Sequence, residues 1–300
     1  SVPTEMHRRL AKEFARIESK YPNPMSEKEI FGLLADLGDV GDVDSMTWEE
    51  LESHAKGFGP VIAQGSPMSA IGNPFQFQSL SNCFVIDSPN DSYGGIMKTD
   101  QEQAQIMKRR GGVGFDISTI RPKGVKTANA ARTTDGIAVF MERFSNTCRE
   151  VAQGGRRGAL MLCIDVLSPE VDTFINIKRD LKKVTGANTS IKMHDEFMHA
   201  VKDNNTVTLK FPVDSTSPIV EKVVDAKKIW DDFTDAAWAT GEPAPLFWDT
   251  ITRRCPADIY KSSGFGSIAT NPCVTGDTIV HTTLGDKTVK ELSDANERFV

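Results

Sequence analysis

The sequence lacks the features of a membrane protein or of a secreted, disulfide-bonded protein. It has no run of about 18 apolar residues, so no membrane-spanning helix is predicted. Residues 6–20 are charged and amphipathic, without the apolar stretch of a signal peptide. The five cysteines are odd in number, and none has the spacing of a zinc site. These absences predict a cytoplasmic protein with neither a disulfide framework nor a metal site.

The composition is typical of a globular protein with an apolar core. Of the 300 residues, 39% are hydrophobic and 25% are charged, which allows two or more domains or one α/β barrel. The net charge of -6 argues against a surface that binds nucleic acid. We therefore expect neither nucleic-acid nor membrane partners.

Residues 1–60 are predicted to form a small helical domain. Ser26 with Glu29, and Thr47 with Glu50, have the spacing of capping boxes, which start two helices. Two glycines are predicted to end these helices: Gly38 and Gly57. An earlier helix is predicted to place three apolar residues on one face: Leu10, Phe14 and Ile17.

Residues 61–272 alternate between predicted strands and helices. The strands are predicted at 83–87, 113–117, 160–166, 188–191 and 206–211, and the helices at 101–110, 137–151 and 169–177. Ser168-Pro169 is expected to cap the last of these helices. The alternation predicts a mostly parallel α/β sheet with sites at strand ends. The pattern alone leaves an open doubly wound sheet as an alternative.

Residues 273–300 have a different pattern. A strand at 279–283, a turn at 284–286 and a second strand at 287–289 predict a short β-rich segment.

Two glycine- and arginine-rich segments join helices to strands. Residues 109–116 and 153–159 allow the backbone to approach a phosphate or a substrate ring, and the second has the composition of a loop that changes shape with its ligand. The alternatives are a helix cap before a strand of small residues and a solvated basic turn. Neither segment is a dinucleotide-binding motif, because helix precedes strand.

Several polar residues have both a functional and a structural interpretation. Cys83 and Cys273 follow asparagine-containing segments and are candidate site thiols, but buried structural cysteines are commoner. The pattern favours surface or partly buried helix positions for two histidines, His194 and His199. Three aspartates are predicted to be helix caps or solvated charges: Asp165, Asp180 and Asp195.

Five segments in order resemble the catalytic chain of ribonucleotide reductases, and the resemblance covers about residues 1–272. They are residues 81–86, 109–122, 129–159, 177–190 and 271–273. The resemblance implies an α/β fold in which a small helical domain precedes the first half of a ten-stranded α/β barrel. The sequences of residues 109–116 and 155–161 are most similar to those of the adenosylcobalamin-dependent class. The metal-radical class, which needs a second subunit, and a non-catalytic nucleotide-binding module are the alternatives.

The resemblance also implies roles for individual residues. Cys83 would be one half of the reducing dithiol, with its partner downstream of these residues, and Asn271 would hydrogen-bond the substrate. Three further residues would contact the ribonucleotide: Ser66, Asn82 and Gly112. The cofactor would be adenosylcobalamin, and an external dithiol such as thioredoxin would supply electrons.

A nucleotide effector, a dNTP or ATP, is implied at two loops. Asp91 and Ser92 resemble the pair that holds the effector, and Lys126 begins the first effector loop, residues 126–132. Gln153 and Arg156 belong to the loop that relays effector identity to the substrate pocket. A homodimer is also expected.

At Cys273 the sequence departs from the reductase pattern. The residues that follow, Val274-Thr275-Gly276-Asp277-Thr278, resemble the opening block of inteins. Cys273 would then be the splicing nucleophile that attacks the Pro272 carbonyl. It occupies the position of the thiyl radical without serving as the radical. The partner would be a complementary C-terminal intein and extein segment, and a divergent reductase loop is the alternative.

Overall fold

The fold is that of a computed structural model, which describes residues 3–151, 158–271, 279–282 and 285–288. Among these residues, no helix is both long and apolar enough to cross a lipid bilayer. The described chain contains two large hydrophobic cores, one within the N-terminal helices and one between a parallel sheet and its helices, and a third, small cluster on the other face of the sheet.

The first core lies among four helices. They are α1 (Pro3–Glu18), α2 (Glu27–Leu34), α3 (Trp48–His54) and α4 (Gly65–Ala70), with a 3-10 turn at Val43–Ser45. Leu10, Phe31 and Leu51 are completely or almost completely buried at its centre. Met68 and Ile71 also pack against this core, so helical packing continues beyond residue 60.

Both predicted capping boxes are confirmed, at Ser26 with Glu29 and at Thr47 with Glu50. The predicted helix ends are wrong, because α2 and α3 stop at alanine caps before Gly38 and Gly57. Ala35 adopts an extended conformation there and forms an isolated bridge with Phe58.

Leu10 and Phe14 pack in the core, as the helical spacing predicts. Ile17 does not, since it lies in the last turn of α1 and is 42% exposed.

The second core is built on a five-stranded sheet. Its strands, all parallel, lie in the order β1 (Cys83–Val85), β2 (Gly112–Asp116), β3 (Leu160–Asp165), β4 (Asn188–Met193) and β7 (Ala244–Phe247). The helices that connect them are α5 (Tyr93–Met107), α6 (Ile137–Glu150), α7 (Val171–Asn176) followed by a 3-10 turn (Ile177–Arg179), α8 (Asp195–Lys202) and α9 (Ala226–Thr240). Neighbouring strands follow one another along the chain, which favours barrel-like winding over the doubly wound alternative.

Several predicted boundaries differ from the structure. The predicted strand at 206–211 exists as β5 (Thr206–Phe211), but it pairs antiparallel with β6 (Val220–Asp225) outside the sheet. The fifth strand of the sheet is β7, which the sequence did not predict because it is short and contains Pro245.

Two helix starts also differ from prediction. Helix α5 begins at Tyr93, earlier than predicted, because Ser92 caps it by accepting a hydrogen bond from Gly95. Helix α7 begins at Val171 and not at Pro169, since the Ser168 hydroxyl caps only the turn before it by accepting from Glu170 N.

After β7 the chain continues through α10 (Trp248–Arg254) and a 3-10 segment (Pro256–Ser263). The tail contains a hairpin of β8 (Ile279–Thr282) and β9 (Gly285–Thr288). The two predicted strands are confirmed as an antiparallel pair. Gly285 and Asp286 belong to β9 and not to the turn, because Gly285 already pairs with Thr282.

The two faces of the sheet have different covers. Val113, Phe115 and Leu162 point to the face that packs against the helices. The opposite face carries Gly114 and Cys163 in its middle, and we call it the inner face. Residues 267–271, here called the strap, cross this inner face, where Ala269 packs against Met161 and Cys163.

Candidate functional site

The first candidate site lies at the edge where β1 and β2 begin, here called the start edge. Cys83 is exposed and stands in register with Gly112 of the neighbouring strand. The Gly112 amide donates to the Asn82 carbonyl at 2.6 Å. The Ser66 hydroxyl, on α4, donates to the side-chain oxygen of Asn82. Residues separated by up to 46 positions in the sequence therefore meet at one edge of the sheet.

The strap brings Asn271 to the same edge. Its side-chain amide donates to the Phe84 carbonyl at 3.2 Å, beside Cys83. A Cβ atom on Gly112 would lie 3.4 Å from the Asn271 side-chain oxygen and 3.3 Å from the Asn82 carbonyl. Glycine at 112 therefore leaves room for both polar groups. All five residues predicted to act on the substrate within the described chain lie together: Ser66, Asn82, Cys83, Gly112 and Asn271.

The middle of the strap is seated on the sheet through small side chains. A Cβ atom on Gly114 would lie 1.9 Å from the Thr270 carbonyl oxygen, so only glycine permits this approach. The Cys163 thiol lies under the strap and is completely buried. Burial raises the pKa of this thiol, and the adjacent hydrogen bond from the Thr270 backbone opposes the rise. The strap and the sheet therefore form one packed unit.

The groups at the start edge suit a hydroxylated substrate. A serine and two asparagines supply hydrogen-bond donors and acceptors, and a thiol stands exposed beside them. Thiols supply hydrogen atoms and electrons, and amides orient hydroxyl groups without adding a charge.

A second candidate site is a cavity of about 280 Å³ beyond the opposite ends of β1 and β2. Asp91 accepts from the Arg121 backbone amide at 3.1 Å and from its Nε at 2.7 Å. Ser92 caps α5, so the amino end of this 15-residue helix adjoins the cavity. The amino end of a helix favours an anionic ligand such as a phosphate, and Arg121, whose charge is paired with Asp91, adds guanidinium N–H donors beside it.

The loop around Lys126 closes one side of this cavity. The Lys126 carbonyl accepts from Arg121 Nη1 at 2.8 Å, and Lys126 bridges to Thr133. The side chains of Thr127 and Asn129 line the cavity, whereas Lys126 does not appear in its lining. Two residues predicted to sense the effector, Gln153 and Arg156, lie outside the described residues, as does Cys273.

Arg121 is a site residue that the sequence analysis missed. It follows β2 in an Ile-Arg-Pro sequence, and its charge is held by Asp91, 30 residues earlier. An arginine in the loop that follows a strand of a parallel sheet was the available signal, because ligands often bind at that edge.

A buried charge network, also missed, follows the carboxyl ends of β2, β3, β4 and β7, here called the carboxyl edge. Lys192 Nζ lies 2.6 Å from Asp116 Oδ2 and 4.5 Å from the centre of the Trp248 ring. The Ser118 hydroxyl donates to Asp116 and accepts from the Asp165 amide, which ties β2 to β3. The network joins four neighbouring strand ends.

His194 is partly buried at the start of α8, within its predicted range, whereas the prediction of Asp165 as a helix cap or solvated charge is wrong. His194 precedes α8 as its N-cap, and Asp165 is only 8% exposed. His194 Nε2 lies 2.7 Å from Asp165 Oδ2, and its Nδ1 lies 3.2 Å from Asp249 Oδ1. Because carboxylates only accept, both ring nitrogens carry protons. The hydrogen bond to Asp165 raises the pKa of His194 to about 9, although burial of the ring lowers this pKa.

Asp195 and Asp180 have different outcomes. Asp195 pairs with Arg253 at 2.6 Å, so it is an ion-pair partner of α10. Asp180 is exposed and accepts a hydrogen bond from the Lys182 amide, as a local cap does. His199 is exposed on α8, in agreement with its predicted surface position.

Comparison with known proteins agrees with this architecture. Residues 81–276 match the family described as ribonucleotide reductase, barrel domain. The vitamin B12-dependent ribonucleoside-diphosphate reductase of Thermoplasma acidophilum is 34% identical over 197 residues, which cover 65% of this chain and 24% of that protein.

Two further relatives have similar identity. The vitamin B12-dependent ribonucleotide reductase of Streptomyces clavuligerus is 30% identical over 213 residues, covering 62% of this chain and 22% of the relative. The ribonucleoside-diphosphate reductase large chain of Neurospora crassa is 30% identical over 200 residues, which cover 58% of this chain and 22% of that protein. The chain thus spans about a quarter of the length of these relatives. Because the family match covers more than half of its residues, the chain belongs to the ribonucleotide reductase family and contains part of its barrel domain.

Proposed function

We propose that this chain is the N-terminal part of a ribonucleotide reductase catalytic subunit of the adenosylcobalamin-dependent class. The complete enzyme would convert ribonucleotides to 2'-deoxyribonucleotides. The observation that carries the proposal is the convergence of Cys83, Asn82 and Asn271 at the start edge, from segments up to 189 positions apart in the sequence. The names of the relatives from Thermoplasma and Streptomyces support the cobalamin-dependent class.

The proposed reaction removes the ribose 2'-hydroxyl as water and oxidises two thiols to a disulfide. Ribonucleotide plus dithiol gives deoxyribonucleotide, disulfide and water, so atoms and the two electrons balance. Cys83 would supply one of the thiols. Its exposure beside hydrogen-bonding groups supports this role, whereas a thiol sealed in apolar packing would be inert.

Ser66, Asn82 and Asn271 would orient the sugar. Their side chains are neutral, so they position hydroxyl groups without stabilising a competing ionic reaction. Gly112 would let the sugar approach the backbone, because any larger residue meets Asn82 and Asn271. In the complete ten-stranded barrel, the inner face of the sheet would enclose this site and keep water from the radical.

The described residues fit the substrate better than they fit the cofactor. The polar side chains described at the start edge beside Cys83 are those of a serine and two asparagines, which suit the hydroxyl groups of a sugar. The proposed cofactor rests on the names of the relatives. When bound, such a cofactor supplies the initiating radical.

The cavity at Asp91 and Arg121 is proposed to hold the nucleotide effector, a dNTP or ATP. Arg121 and the amino end of α5 would hold phosphates, and Tyr93 and Phe140 would contact the base. Gln153 and Arg156 would relay effector identity to the substrate. A homodimer and a thioredoxin-like reductant complete the proposed partners.

We also propose that an intein begins at Cys273. Its thiol would attack the Pro272 carbonyl, forming a thioester and freeing the intein amine as the peptide bond breaks. The Gly-Asp-Thr sequence after it supports this assignment, as does the β8–β9 hairpin that follows. A complementary C-terminal segment would complete splicing and supply the radical cysteine.

The test of the reductase proposal is turnover by the spliced, full-length protein. We expect ribonucleotide reduction with adenosylcobalamin and a dithiol, and without a second subunit. Cys83→Ser is expected to abolish it, because serine cannot donate reducing equivalents. Cys255→Ser is the matched control, since Cys255 is also accessible but lies outside the start edge. Persistent turnover in Cys83→Ser would contradict the role of Cys83, and a requirement for a radical-generating subunit would favour the metal-radical class.

The intein proposal has a separate test. When the complementary C-terminal segment is supplied, Cys273→Ala is expected to prevent joining, because alanine cannot form the thioester. Cys148→Ala, in the main core and away from the strap, is the control for loss of a cysteine. Unchanged joining in Cys273→Ala would leave the divergent-loop alternative.

A further inference from the structure

The strap is held at several points between α10 and Asn271. Asp258 accepts hydrogen bonds from the Ser267 amide at 2.9 Å and from its hydroxyl at 2.6 Å. Ala269 packs on the inner face, and the Asn271 amide reaches Phe84. Each contact depends on the direction in which the chain leaves the sheet at the end of β7.

That direction is set at the carboxyl edge. The pairing of β7 with β4 fixes where β7 ends, but not how α10 turns away from the sheet. Asp249, in the first turn of α10, contacts the His194 ring at 3.2 Å and accepts from the Asp195 amide at 2.8 Å. One turn later, Arg253 contacts Asp195 at 2.6 Å. Helix α10 is therefore attached to the end of β4 at two successive turns.

His194 connects this attachment to the next strand. Its second ring nitrogen contacts Asp165, at the end of β3, and Asp165 also accepts from the Leu167 amide at 2.8 Å. Without the imidazolium, the Asp165 and Asp249 carboxylates would face each other without a shared cation. Because the two negative carboxylates would repel each other, we expect α10 to move away from the sheet.

We infer that Asp165, His194 and Asp249 form a clamp that holds the strap on the inner face and thereby positions Asn271. His194 and Asp249 are positioning residues, because their contacts with the start edge run only through α10 and the strap. The functional meaning of the clamp, placement of a substrate-binding asparagine, rests on the proposed function. That the clamp holds the strap on the inner face does not depend on the proposed function.

Cys163 reports whether the strap is seated. Its thiol is completely buried beneath Ala269 and Thr270, so release of the strap uncovers it while the sheet stays folded. Cys148 is an internal reference, because it is 1% exposed on α6 in the main core and away from the strap. Global unfolding exposes both thiols, whereas release of the strap exposes Cys163 alone.

The experiment is alkylation of the 1–300 chain with iodoacetamide at constant pH, with labelling of each cysteine quantified by peptide mass spectrometry. His194→Ala is expected to accelerate labelling of Cys163 by about tenfold or more, because a charged hydrogen-bonded contact is lost at each carboxylate. Labelling of Cys148 is expected to remain unchanged. His199→Ala, an exposed histidine five residues later, is the matched control and should change neither rate.

A second variant guards against misfolding of His194→Ala. Asp249→Asn keeps the shape of the side chain but removes the charge that faces His194, and it is expected to accelerate Cys163 labelling to a smaller extent. Unchanged Cys163 labelling in both variants would overturn the clamp. Equal acceleration at Cys148 would also overturn it, because the contacts would then stabilise the whole fold. Neither result depends on turnover, so the reductase proposal would stand or fall separately.

Discussion

The two edges of the parallel sheet are built from different chemistry. The start edge carries a thiol, neutral amides and glycine, and its key residue Cys83 is exposed. The carboxyl edge carries Asp116, Lys192 and Asp165, all less than 10% exposed and joined by short contacts. The comparison shows that the exposed thiol and the buried ion pairs lie at opposite ends of the same strands. The thiol proposed to meet the substrate stays accessible at one edge, while charges that hold the strands together are buried at the other.

The largest expected effect is the removal of a buried charge at the carboxyl edge. Lys192→Ala leaves Asp116 without its cation in a buried position, so we expect the free energy of unfolding to fall by about 3–5 kcal/mol. Urea denaturation measures the change. Lys222→Ala, which breaks an exposed pair with Asp172 at 4.0 Å, is the control and should cost at most about 1 kcal/mol. Equal losses in the two variants would remove the distinction between buried and surface charges.

The next effect is a pH dependence that arises at His194. Its folded-state pKa of about 9 lies above the ordinary value of 6.5 because of the bonds to Asp165 and then Asp249. The stabilisation is therefore fully present below about pH 6.5 and is lost as the pH rises through about 9. We expect it to be worth up to about 3 kcal/mol.

Urea denaturation at pH 6.5 and pH 10 measures this difference. The charged groups that face His194 are Asp165, Asp249 and the adjacent Asp195, which is paired with Arg253. Because other side chains also titrate above pH 9, the relevant quantity is the difference between the original chain and His194→Ala. An identical pH slope in both proteins would show that the imidazolium contributes nothing.

The smallest expected effect concerns the contact of the strap with the sheet. Gly114→Ala places a Cβ atom 1.9 Å from the Thr270 carbonyl, so the strap must shift, at a cost of about 1–3 kcal/mol. Gly57→Ala, where nothing lies within 4 Å, is the control and should stay within about 0.5 kcal/mol. Cys163 labelling distinguishes the two cases, since only Gly114→Ala should increase it. A stable Gly114→Ala with protected Cys163 would mean that the strap adjusts without leaving.

Much of the sheet was predictable because its strands are apolar runs bounded by helix signals. The segments at 113–117, 160–166 and 188–191 correspond to β2, β3 and β4 within two residues at each end. Local patterns also located both capping boxes, since a capping box depends only on residues three apart. Strand β7 and helix α10 were not predicted, because four residues with a proline and seven helical residues are too short to show a clear hydrophobic periodicity.

The candidate sites were predictable only where a family resemblance supplied them. Periodicity gave no reason to connect Ser66 with Asn82, or Asn271 with Phe84, because such contacts depend on chain crossing and not on spacing. Arg121 and the carboxyl-edge network were missed for the same reason. Asp116 and Lys192 are 76 residues apart and meet only because β2, β3 and β4 lie side by side.

The sequence by itself determined the local elements of this protein, its thiol and amide chemistry and, through five ordered segments, its family. Only the tertiary structure decided which charges are buried and what the strap covers. It decided also that the His194 ring lies between Asp165 and Asp249 and carries two protons. The physical reason is that periodicity acts over a few residues, whereas burial and hydrogen-bond partnership depend on which distant strands the fold places next to each other.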